Sequence, residues 1–118
     1  MALHTEWKIG DREPLKLRLT SRGCVDAERR LGTNPLNILT SIDEGNLPRL
    51  EAIIVILHQA LQPFEHGYST EDVYELYDEY IDAGGTMVDL IPLILDVFKV
   101  SGFFKEEKPK KGAKKKSQ

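Results

Sequence analysis

Six carboxylates crowd into the stretch S-T-E-D-V-Y-E-L-Y-D-E-Y-I-D-A-G-G, residues 69–85: Glu71, Asp72, Glu75, Asp78, Glu79 and Asp82. At 100° per residue they share one face of a helix, opposite Val73, Leu76, Tyr77, Tyr80 and Ile81, with Tyr74 at the border. Calcium binding is the first chemistry to weigh, because Asp78 and Asp89 stand at the first and twelfth positions of a twelve-residue frame. The frame fails inside: Tyr80 occupies a ligand position, Ala83 stands where the turn needs glycine, and the last ligand is Asp rather than a bidentate Glu. General acid–base catalysis by paired carboxylates needs unlike environments for the two groups, whereas acids on one wet helix face share theirs. Two readings remain, a solvated exterior and an acidic docking surface; six like charges on one face repel and are normally diluted with lysine.

The other reactive side chains form no constellation. His4, His58, His66 and the single Cys24 lack metal-ligand spacing, and no serine stands in a nucleophile-elbow context. Gly84-Gly85 reads as a helix stop, since the Lys-Ser/Thr of a phosphate-binding loop is missing. The sequence thus predicts a non-enzyme with no catalytic residues, no metal and no cofactor.

Charge and length narrow the class. The 118 residues carry a net charge of −3, unevenly spread: residues 105–118 hold seven lysines and two glutamates, +5, leaving nine basic and seventeen acidic groups, −8, before them. An acidic body repels phosphate, so no specific nucleic-acid binding is expected of it. One cysteine excludes an internal disulfide and fits a reducing, intracellular compartment. No secretory signal is read at M-A-L-H-T-E-W, and the most apolar run, residues 90–104, is broken by Asp96 and Lys99, so no membrane span is expected.

The elements that must position the acidic face follow from periodicity. Residues 5–9 and 15–20 alternate with period two around Gly10–Pro14, a hairpin with Trp7, Ile9, Leu15, Leu17 and Leu19 turned inward. Residues 21–31 predict a first helix, capped near Ser21 and stopped at Gly32, with Val25, Glu28 and Leu31 on one side. A short helix to about Ile42 opens with Asn34 as cap and Pro35 in its first turn. Residues 47–62 are apolar around most of the circumference and predict the central helix, against which the acidic helix lays its five apolar residues. Ser69 caps that acidic helix. Thr86 caps a last helix to about Val100, with Asp89 as a capping-box analogue; Pro92 either kinks it or marks its true start. The expected fold is mainly α (α+β): a compact bundle of four to five helices with an N-terminal two-stranded hairpin, one domain over residues 1–104, and a disordered lysine-rich tail over 105–118.

Several segments, in this order and spacing, carry a resemblance: W-K-I at 7–9, L-G-T-N-P-L at 31–36, L-P-R-L at 47–50, V-Y-E-L-Y-D-E-Y-I-D-A-G-G at 73–85 and V-S-G-F-F at 100–104. Over residues 7–104 the chain resembles the small tail assembly chaperones of long-tailed bacteriophages, particularly those infecting Gram-positive bacteria. The resemblance implies a non-enzymatic helical protein that coats the tape measure protein, recruits tail tube protein, acts in the host cell cytoplasm, forms homo-oligomers and is absent from the mature virion. It also implies a longer form made by frameshifting, for which an A-rich run encoding Lys114-Lys115-Lys116 is the candidate slippery site. Such a role needs repeated weak contacts from an apolar groove rimmed with charge. The expected contacts are Tyr74, Glu75, Asp78, Glu79 and Asp82, with Phe103 and Phe104 at the end of the folded part. The alternative is a small acidic regulator that presents its carboxylates as a nucleic-acid mimic to a basic host protein.

Overall fold

The computed structural model describes residues 4–103 as a two-stranded hairpin followed by five helices. Strand β1 (Thr5–Trp7) pairs antiparallel with β2 (Leu15–Leu17), Trp7 opposite Leu15 and Thr5 opposite Leu17. The alternation works as the sequence predicts: Trp7, Ile9, Leu15, Leu17 and Leu19 are all buried, while Lys8 and Lys16 face solvent. Both strands are shorter than the alternating runs. Past Leu17 the backbone turns to another partner, the Arg18 N–H donating to the Ala60 carbonyl at 2.9 Å.

That carbonyl belongs to the central helix α3 (Leu50–Leu61), whose residues Ile53 to Leu57 and Gln59 to Leu61 are buried consecutively. A helix buried on nearly every side has neighbours all round, and α3 packs against α1 (Ser21–Leu31), β2, α4 (Thr70–Asp82) and α5 (Met87–Val100). The last four carbonyls of a helix have no intrahelical donors. In α3 they are all satisfied: His58 O by Gln62 Nε2, Gln59 O by Gln62 N, Ala60 O by Arg18 N, and Leu61 O by Phe64 N and Glu65 N. The helix is shorter at its start than the apolar run, and Leu47 and Leu50 are exposed rather than part of the core face.

Helix α1 begins where predicted, capped by Thr20, whose hydroxyl accepts from Gly23 N at 3.0 Å. It differs in the face it buries. The core side is Gly23 and Ala27, and Val25 is 42% exposed. The reason is distance: a Cβ on Gly23 would sit 3.5 Å from the Gln59 carbonyl oxygen, so a small residue lets the α1 backbone approach α3 closely. The second helix does not use Asn34 as its cap: Asn34 Oδ1 accepts from Leu36 N at 2.9 Å in a turn ahead of the helix, Pro35 and Leu36 lie in that turn, and regular α2 runs Asn37–Asp43 from Leu36 with no side-chain cap bond.

Helix α5 runs unbroken through Pro92 from its cap Thr86, whose hydroxyl accepts from Asp89 N. Pro92 is exposed, so the carbonyl it fails to serve, that of the exposed Val88, lies on the solvent side. Helices α2, α4 and α5 end alike. A left-handed glycine (Gly45, Gly84 or Gly102) follows the cap, its N–H and that of the next residue bonding back to the last turn. At α5 the closure is joined by Ser101, whose Oγ donates to Val97 O and accepts from Leu19 N at 2.8 Å, tying the end of α5 to the strand leading into α1.

Candidate functional site

Helix α4 carries the residues singled out by the sequence, and it starts as they predict. Ser69 Oγ accepts from Asp72 N at 3.1 Å while Asp72 Oδ2 accepts from Ser69 N at 2.9 Å, a complete capping box. Asp72 therefore has a structural partner. So does Glu79, whose two carboxylate oxygens accept from Arg12 Nε at 2.9 Å and Nη2 at 3.1 Å. This bidentate pair staples the hairpin loop to α4, and the Glu79 bond is the first cause of the raised pKa of the Arg12 guanidinium.

The inward side of α4 is narrower than the five apolar residues predict. Val73 and Leu76 are buried, Tyr77 and Tyr80 are half-buried, and Ile81 is 38% exposed. Tyr80 does not reach for α3. Its ring lies 5.9 Å from that of Trp7 on β1, and its hydroxyl donates to Thr86 O at 3.0 Å. Tyr80 and Glu79 tie one side of α4 to the hairpin, and the opposite border of the helix faces solvent. Tyr74 and Ile81, seven residues apart and within about 20° of each other around the axis, form that border, and Tyr74 is 42% exposed.

Outward from this border lie Glu71, Asp78, Asp82 and Glu75, all exposed and with no cation in ion-pair range among the described residues. The predicted set is thus brought together in part. Tyr74, Glu75, Asp78 and Asp82 share one open surface, Glu79 turns to Arg12, and Phe103 is elsewhere. Phe103 is half-buried at the end of α5, its N–H bonded to Phe98 O and its ring packed edge-on against Phe98 at 5.2 Å. The hydrophobic contact that accompanies a left-handed helix closure accounts for it. Phe104 and the lysine-rich stretch 105–118 lie outside the described residues.

The calcium frame is split among the end of α4, its closure and the first turn of α5, so Asp78 and Asp89 do not share a loop. Among the described residues no three His, Cys, Asp or Glu side chains cluster as metal ligands. No described helix is long and apolar enough to cross a membrane. A recess of about 150 Å³ between the start of α3, α2 and the α1–α2 loop is lined in part by Leu31, Pro35, Ile38, Pro48 and Ala52. Burial, and secondarily the Glu28 charge, raise the Cys24 pKa, which disfavours the thiolate.

One polar constellation has no signature in the sequence. Arg30 Nη1 lies 3.0 Å from His58 Nδ1; a guanidinium only donates, so Nδ1 accepts and the imidazole proton sits on Nε2. That nitrogen is 3.1 Å from Tyr68 O, which also accepts from Gln62 Nε2 at 3.0 Å. The cluster joins α1, α3 and the loop into α4. Desolvation chiefly lowers the His58 pKa, and the Arg30 charge lowers it further against the opposing bond to Tyr68. His58, read from spacing as surface or filler, is a structural link.

No curated protein and no solved structure matches the chain. A family model does, over residues 3–118, which takes in the hairpin, all five helices and the acidic strip. The chain belongs to DUF6096, a family of unknown function.

Proposed function

We propose that this protein is a non-enzymatic tail assembly chaperone of a long-tailed phage, binding the tape measure protein through the exposed strip of α4. The carrying observation is that strip: Tyr74 and Ile81 on the helix border, flanked by Glu71, Glu75, Asp78 and Asp82, with Asp72 and Glu79 already engaged elsewhere. It is an apolar line with a charged rim, the chemistry that holds an amphipathic helix weakly and repeatedly along its length. The partner's identity is taken from the resemblance of the segments at 7–9, 31–36, 47–50, 73–85 and 100–104 to tail assembly chaperones. In this reading tail tube protein is recruited to the coated tape measure, the chain acts in the host cytoplasm as a homo-oligomer and leaves before the virion is complete. A frameshifted longer form belongs to the same proposal, and codons 112–117 without a slippery heptamer would remove it.

Co-expression tests the reading. The full chain is produced with a long-tailed phage tape measure protein, and the soluble tape measure captured with it is measured. The wild-type chain is expected to raise soluble tape measure and retain it. Changing Glu75, Asp78 and Asp82 together to Lys, with Glu79 left on Arg12, is expected to lower capture about tenfold, equivalent to roughly 1.4 kcal/mol. Undiminished capture by that variant would exclude the strip as the contact. No capture by the wild-type chain would sink the chaperone reading, and salt-sensitive capture of a basic host protein instead would favour the acidic-mimic alternative.

A further inference from the structure

Helix α4 has no lysine or arginine anywhere in Thr70–Asp82. Its carboxylates therefore face one another: Glu71 and Glu75, Glu75 and Glu79, and Asp78 and Asp82 are i, i+4 pairs of like charge, each unfavourable by a few tenths of a kcal/mol. Only Glu79 is relieved, by Arg12. Helix α1, by comparison, exposes mixed charge around Val25: Arg22 and Arg29 lie on the same surface as Asp26, whose carboxylate is 4.0 Å from Arg29. Of the two helices, α4 is the one whose exposed charges are all negative.

The chain carries that polycation. Residues 105–118 hold seven lysines against two glutamates. They follow Phe103, which is fixed by its bond to Phe98 O and its ring contact with Phe98. The fifteen residues after Phe103 span up to about 50 Å when extended, against a longest molecular dimension of 46 Å, so α4 is within reach of the same molecule. Tyr74, 42% exposed at the border, adds an aromatic face to which an ammonium group is attracted.

We infer that the exposed strip of α4 is the docking site of this chain's own C-terminal lysine segment, residues 105–118. The contact is intramolecular and electrostatic. It shares its face with the proposed chaperone function but not its partner. The test below contains no partner, so its failure leaves the chaperone reading standing, and failure of the capture experiment leaves the tail contact standing.

The full-length chain is used, with Cys24→Ser and Ser117→Cys to place one nitroxide label near the C-terminus. Amide spectra are compared with the label oxidised and reduced. At low salt the amides of Glu75, Asp78 and Asp82 are expected to lose most of their intensity while those of Val25 and Arg29 keep theirs. Near 1 M salt, where charges are screened beyond about 3 Å, the intensity is expected to return. Glu75→Gln, Asp78→Asn and Asp82→Asn together should abolish the effect while the dispersion of the remaining amides shows the fold intact. Broadening equal on α1 and α4, broadening insensitive to salt, or broadening seen only when a labelled chain is mixed with a second isotope-enriched chain would overturn the inference, the last by assigning the site to another copy.

Discussion

Gly85 shows how a single position holds two elements in register. It follows the left-handed Gly84 in the closure of α4, and the Tyr80 ring lies across the space a Cβ would need. Gly85→Ala must therefore move the ring that packs on Trp7. The expected cost is about 1–3 kcal/mol, read as a lower urea midpoint, and it should shrink when Tyr80 is replaced by Leu. The Arg12–Glu79 pair sits at the other extreme. Both side chains are more than a third exposed, so despite bidentate geometry a double-mutant cycle with Arg12→Ala and Glu79→Ala should give a coupling of no more than about 1 kcal/mol, fading with salt. Neither Gly85's ring contact nor Arg12's pairing is legible in the sequence beforehand. Gly84-Gly85 reads correctly as a stop, but the tyrosine above it is placed by Trp7, and Arg12 is 67 residues from its partner.

At the scale of elements, what is legible is what is local. Ser69 with Asp72, Thr86 with Asp89, and the glycines that close α2, α4 and α5 act on neighbours three to five residues away, and the boundaries of the helices follow from them. Which face an amphipathic helix buries is less legible, because it depends on the partner. Val25, grouped by periodicity with Glu28 and Leu31 on one side of α1, is exposed, because α1 buries Gly23 and Ala27 instead; Ile81 reads as core and is exposed, while Val73 and Leu76 form the buried side of α4. The His58 link between elements carries a pH signature. Its folded pKa lies below the ordinary value of 6.5, so below that value the unfolded chain binds more protons than the folded one. Stability is therefore full above about pH 6.5 and falls as acid is added toward the folded pKa. Denaturation midpoints measured across that window should drop for the wild-type chain and stay flatter for His58→Gln.

For the whole molecule, the order of contacts makes the two ends of the described chain depend on each other. Helix α5 packs on β1, and Ser101 satisfies the N–H of Leu19, 82 residues earlier. Ser101→Ala leaves that N–H, on a residue 3% exposed, without its acceptor. The expected destabilisation is about 1–3 kcal/mol, measured by denaturant unfolding, and it should be accompanied by faster amide exchange at Leu19.

The only tryptophan of the chain, Trp7, is 2% exposed, and its indole Nε1 has no hydrogen-bond partner among the described residues. An indole buried beside a tyrosine ring fluoresces toward the blue, and its emission moves to the red when the ring becomes exposed to water. Trp7 is therefore an intrinsic optical gauge at the meeting point of β1 and α4. Docking events on the outer strip that shift α4, and mutations at Gly85 or Tyr80, can be followed by its colour without any added label.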